Sequence, residues 1–254
     1  MICPVDPESV VEACVPTQNL SEYRSCMNVT MISSYENYFS AGFELFNLGD
    51  TCSYLDTYEA ESVIVAVEQL EAGLRFPLDQ IFIDLCTTYN FPLSQLHPNS
   101  IRQVCVLSEI CRRAKLTLSL DRLRSFFLVT KRLRITPFVM LAARVRRALS
   151  GNLPESIKSL GPNFFRVKHP SLRGLPAQWN FVDLKPFTNI FKVPGDATPD
   201  GKFALKFLGR LYATIGAKLN VKYFIKEYLK GRSRGLFGGL NSVLTDEGRF
   251  LVLN

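Results

Sequence analysis

In Pro98-Asn99-Ser100-Ile101-Arg102-Gln103-Val104-Cys105-Val106-Leu107-Ser108-Glu109-Ile110-Cys111-Arg112-Arg113 a helix reads from about Ser100 to near Arg112-Arg113. Ile101, Val104, Leu107, Ser108 and Cys111 recur at helical spacing, so they share one face. Pro98-Asn99 give the start signal. A helix with so apolar a face must be covered by other elements, and the neighbouring segments carry the same period.

Upstream, Leu78, Ile81, Phe82, Leu85 and Tyr89 form a second stripe, with Pro77 in its first turn. Before that, Asp56 and Glu59 resemble a helix start, Ile64, Val67 and Leu70 form a stripe, and Gly73 stands where a helix C-terminus is often closed. Downstream, Ser119 precedes Leu120, Leu123, Phe126 and Phe127. Thr136-Pro137 open a fifth stripe of Phe138, Leu141, Val145 and Leu149, with Gly151 beyond it. The expected fold is mainly α: a compact five-helix unit joined by short loops.

Outside this unit the pattern changes. Residues 1–55 are acidic and show no sustained period, so they read as a loosely structured leader anchored by Tyr38, Phe39, Phe43 and Phe46. Residues 151–200 hold seven of the 14 prolines, which excludes long helices there. Phe164-Phe165-Arg166-Val167 and Trp179-Asn180-Phe181-Val182 are short strand candidates in an otherwise irregular segment. Helical stripes return with Phe203, Phe207, Leu211 and Ile215, and again with Phe224, Ile225, Tyr228 and Leu229, in a helix that Asn220 opens as an N-cap and Gly231 closes. Three regions follow: a leader, 1–55; a helical domain with its aromatic segment, 56–182; and a basic helical C-terminus with a Gly-rich tail, 183–254.

At 254 residues the chain can bury a full core without disulfides or metal. Hydrophobic residues are 47% and charged residues 21%, which excludes a mostly disordered chain. The net charge of +7 conceals a division. The first hundred residues carry 14 acidic and two basic side chains, the remainder nine acidic and 28 basic. Such asymmetry fits a polyanion-binding portion, or pairing between copies, as well as two solvated faces.

The basic residues are ordered. Lys202, Lys206 and Arg210 recur at intervals of four, and Lys218, Lys222, Lys226 and Lys230 repeat the interval. On a helix that spacing lines cations along one side, a pattern that serves a nucleic-acid backbone and equally a solvated face. Arg232 and Arg234 continue the series into the basic-aromatic run Gly231–Gly239. A second cluster comprises Lys131-Arg132-Leu133-Arg134 with Arg144, Arg146 and Arg147.

Catalytic and metal-binding patterns are missing. No phosphate-loop, nucleophile-elbow, zinc-protease or dinucleotide fingerprint occurs. Seven cysteines without a C-x-x-C pair, and only His97 and His169, give no local zinc spacing. The odd cysteine count points to a reducing, intracellular compartment, nucleus or cytoplasm. The longest uncharged stretch, Leu85–Ile101, is broken by Pro92 and Pro98 and cannot span a bilayer. No cofactor, metal or small-molecule ligand is expected.

One resemblance stands beside this reading. Gly73-Leu74-Arg75-Phe76-Pro77-Leu78 is followed by Pro92-Leu93-Ser94-Gln95-Leu96-His97-Pro98-Asn99-Ser100, then by Arg112-Arg113, Leu118-Ser119-Leu120 and Phe126-Phe127. With Phe164-Phe165-Arg166-Val167 and Trp179-Asn180-Phe181, this order resembles the gypsy-type transposon domain of plant genomes, over roughly residues 70–182. Gln95–Ser100 is its most specific run. The resemblance implies a retrotransposon-derived protein and supplies no catalytic residue. By their own chemistry, Gln95, His97 and Asn99 read as a loop and helix cap.

The expectation is therefore a non-catalytic, plant retrotransposon-derived protein. It would bind DNA or RNA without sequence preference through Lys202, Lys206, Arg210, Lys218, Lys222, Lys226, Lys230, Arg232 and Arg234. The alternative is a capsid-like helical module that self-associates as a homo-oligomer and binds no nucleic acid.

Overall fold

The computed structural model describes residues 24–48, 60–113, 115–131, 138–143, 162–179, 206 and 221–233. Its centre is the helix Pro98–Arg113, along which Ile101, Val104, Cys105, Leu107 and Ile110 are completely buried. In chain order, the described residues form α1 (Val29–Ser33), β1 (Glu44–Phe46), β2 (Ser62–Ala66), α2 (Val67–Glu71), α3 (Gln80–Tyr89) and α4 (Pro98–Arg113). They continue with α5 (Leu120–Phe126), β3 (Phe127–Lys131), β4 (Val139–Ala143), β5 (Phe164–Lys168) and α6 (Val221–Ser233).

This is a mixed α/β arrangement, and it corrects the mainly α expectation. Two antiparallel sheets accompany the helices: β1-β5-β2, with β5 central, and the pair β3-β4. The expected first helix is instead a strand followed by a single helical turn and a half. Ser62-Val63-Ile64-Val65-Ala66 is buried throughout, so alternation cannot show in it, and its β-branched residues pack well on a pleated surface. β2 pairs with β5 from Ser62 opposite Lys168 to Ala66 opposite Phe164. Asp56 and Glu59, taken as its start, lie outside the described residues.

The expected fifth helix is β4. Phe138 and Leu141 fit a helical stripe, but Val139 and Leu141 also alternate inward as a strand does, and pairing with β3 selects the strand. Val145, Leu149 and Gly151 lie outside the described residues. So do the stripe Phe203–Ile215, apart from Lys206, and the second strand candidate beyond Trp179, which is itself buried outside any strand.

Other readings survive. α3 and α4 follow the period, but α3 opens at Gln80 behind Asp79, leaving Pro77 and Leu78 ahead of it, and α4 opens at Pro98, two residues before the expected start; Ser119 caps α5 by accepting from Arg122 N–H, and Phe164–Lys168 is a strand. Gly231 lies inside α6 and does not close it. Residues 24–48, read as part of a loose leader, join the fold: β1 pairs with β5, Met27 and Ile32 are buried, and Phe39 stacks on Phe76 at 4.7 Å.

α2, α3 and α4 end in the same backbone motif. In each, one N–H reaches three residues back and the next reaches five: Gly73 and Leu74, Asn90 and Phe91, Lys115 and Leu116. The first member of each pair has positive φ, at 113°, 50° and 57°. This is the Schellman closure, whose turning residue is usually glycine or asparagine.

Candidate nucleic-acid interface

The run Gln95–Ser100 is a structural junction. His97 is almost fully buried and its Nδ1 accepts from Asn99 N–H at 3.0 Å, capping α4. His97 N–H donates to the Val139 carbonyl at 3.0 Å, and Ser100 Oγ accepts from Leu141 N–H at 2.9 Å. The start of α4 is thereby tied to β4. Gln69, also fully buried, donates to the Leu93 and Leu96 carbonyls at 2.8 and 2.9 Å and accepts from Ala66 N–H. Trp179 Nε1 donates to Ser94 Oγ at 3.0 Å. These polar groups are engaged within the fold, as the cap-and-loop reading requires.

The cationic side lies on α6. Phe224 and Tyr228 are completely buried and face α4, whereas the Lys226 and Lys230 side chains are exposed. Lys222 lies within α6, one interval of four before Lys226 in the sequence. The helix runs antiparallel to α4. Arg113 Nη2 lies 3.5 Å from Tyr223 Oη near the start of α6, and Ile225 lies farther along, beside Gly73 and Cys105. A Cβ on Gly73 would stand 3.0 Å from Cys105 Sγ, so the bare glycine is what lets the turn after α2 sit this close to α4, while Ile225 Cγ2 of α6, at 3.5 Å, would be in ordinary contact.

Arg232 turns inward. Its Nη1 donates to Asp79 Oδ1 at 2.7 Å and to Tyr228 Oη at 3.2 Å, and its Nη2 donates to the Pro77 carbonyl. Tyr228 in turn donates to Asp79 Oδ2. Burial opposes the Arg232 charge, but Tyr228 and Asp79 outweigh it and hold the guanidinium above its ordinary range. Burial, with Cys105 and Asp79 nearby, pushes the Tyr228 phenol well up.

Lys230 donates to Glu227 Oε1 at 2.7 Å, and this bond holds the Glu227 carboxyl below its usual range. Lys206 is exposed, while Lys202, Arg210, Lys218 and Arg234 lie outside the described residues. So do the basic residues 132–134 and 144–147.

Most arginines near this face serve the fold. Arg112 and Arg113 both donate to the completely buried Glu109 at 2.7 Å. Arg124 donates to Tyr89 Oη at 3.0 Å, and Arg75 lies 3.9 Å over the Tyr38 ring while donating to the Leu70 and Leu74 carbonyls. The exposed cations of α6 are lysines, compact charges that meet phosphates without reading base edges. Sequence reasoning counted Arg232 with them. Its inward turn follows from Asp79, 153 positions away, and no local signal marks it. A cation it omitted is Lys115, exposed on the turn after α4.

Among the described residues, no cluster of His, Cys, Asp and Glu could hold a metal, and no helix is long and apolar enough to cross a membrane. A family model described as "Putative gypsy type transposon" matches residues 63–131. The matched segment runs from the second residue of β2 to the last of β3. Both of its strands pair outside it, β2 with β5 and β3 with β4, so neither sheet closes within the matched segment. No curated protein and no solved structure matches the chain.

Proposed function

We propose, for a chain whose residues 63–131 carry a gypsy-type transposon domain, that it is a non-catalytic, retrotransposon-derived protein of plant origin that binds nucleic acid without sequence preference. The observation that carries the proposal is the division of α6. Phe224, Tyr228 and Arg232 are committed to the body of the protein, while Lys226 and Lys230 are turned outward. Like charges at intervals of four repel one another, and a phosphate backbone relieves that repulsion. The buried Cys86 and Cys105, in no disulfide, suit an intracellular, reducing setting.

The test is fluorescence anisotropy with a labelled mixed-sequence duplex, and with a single strand, across a salt series. Each neutralised phosphate contributes about −0.9 to the slope of log affinity against log salt on a duplex. Lys222→Gln, Lys226→Gln and Lys230→Gln together should lower both affinity and slope with unchanged thermal unfolding. Unchanged binding in that triple variant would reduce the row to a solvated face.

The division of charge between the first hundred residues and the rest favours a second reading, self-association through opposite faces. Light scattering at low and high salt tests it: salt-sensitive oligomers support it, and a monomer under both conditions removes it.

A further inference from the structure

The three Schellman closures among the described residues are not filled alike. After α2 the turning residue is Gly73, and after α3 it is Asn90, the two residue types that enter the left-handed region most readily. After α4 it is Lys115, at φ 57°. Lys115 N–H donates to the Arg112 carbonyl at 3.0 Å and Leu116 N–H to the Cys111 carbonyl at 2.8 Å, so the motif is fully formed despite the lysine. Leu116 packs against the core and holds the turn in place. A side chain is therefore carried where glycine would close the helix with less strain.

The position of that side chain gives a reason. Arg113, two residues earlier, lies 5.5 Å from the Tyr223 ring and 5.2 Å from the Phe224 ring, so the α4 terminus abuts the first turn of α6. The two arginines that precede the turn are directed to Glu109. Lys115 itself is exposed, two residues beyond the Arg113 that meets Tyr223 and Phe224 of α6.

We propose that Lys115 extends the phosphate-contacting face of α6 onto the α4–α5 turn, so that a nucleic-acid backbone crosses both elements. This rests on the reading of α6 given above. Lys115 would act as a point charge on a phosphate, adding affinity without base preference.

The test uses the full chain, a labelled mixed-sequence 20-base-pair duplex and a salt series, with Lys115→Gly, Lys115→Gln and Lys115→Arg. Lys115→Gly and Lys115→Gln should each bind a few-fold more weakly, with the salt slope reduced by about 1. Lys115→Arg should keep the wild-type slope. Lys115→Gly should melt at or above the wild-type temperature, because glycine suits the turn, so its weaker binding would not come from unfolding. Wild-type affinity and slope in both Lys115→Gly and Lys115→Gln, with the α6 triple variant impaired, would overturn this inference and leave the reading of α6 standing. A wild-type chain without salt-dependent binding would overturn both.

Discussion

Asp79 and Arg232, 153 positions apart, are joined by a 2.7 Å ion pair that pins the end of α6 to the entrance of α3. Both side chains are largely shielded, at 19% and 13% exposure, and Tyr228 bonds to both. Charge complementarity thus seats the C-terminal helix together with its apolar stripe.

Removing one partner leaves the other charge largely shielded from water and without its counter-ion. Arg232→Ala should destabilise the protein by about 2–4 kcal/mol, read as a lower urea midpoint. Asp79→Ala added to it should cost much less than its separate effect, because the orphaned charge is then gone.

Gly73→Ala should cost about 2–3 kcal/mol, from a backbone at φ 113° and a Cβ 3.0 Å from Cys105 Sγ. Cys105→Ala in the same chain removes the contact but not the backbone strain. The double variant should therefore unfold at a lower denaturant concentration than Cys105→Ala alone.

Leu107 is completely buried on α4. Leu107→Ala should cost about 2–5 kcal/mol, measured by chemical denaturation. An unchanged midpoint would place the stabilising core elsewhere.

Burial pushes the Cys86 thiol up strongly, and burial with the added charge of Asp79 does the same at Cys105. A folded-state pKa above the unfolded value means that the folded protein holds its protons longer. The stability from these thiols is full below the unfolded thiol value of about 8.5 and declines as pH rises above it. Urea midpoints should therefore fall between pH 7 and pH 10, and Cys86→Ala should flatten that fall. In mass-mapped alkylation at neutral pH, the exposed Cys26 should react before Cys86, Cys105 and Cys111, which stay protected until urea is added.

What the sequence by itself determined is local. α3 and α4 follow from a period written within each segment, Ser119 announces its helix by its own hydroxyl, and Gly73 marks a helix end. The cap-and-loop role of Gln95–Ser100 was legible for the same reason, since His97 caps a residue two positions away. Tertiary structure decided what depends on distant partners. Ser62–Ala66 and Val139–Ala143 are strands because β5 and β3 supply the hydrogen bonds that an isolated apolar run cannot make for itself. Nine basic residues read as one series, yet α6 docks with Arg232 inward on Asp79 and Lys226 outward. Spacing assigns residues to a side of a helix. Which side meets solvent is set by the surface on which the helix packs.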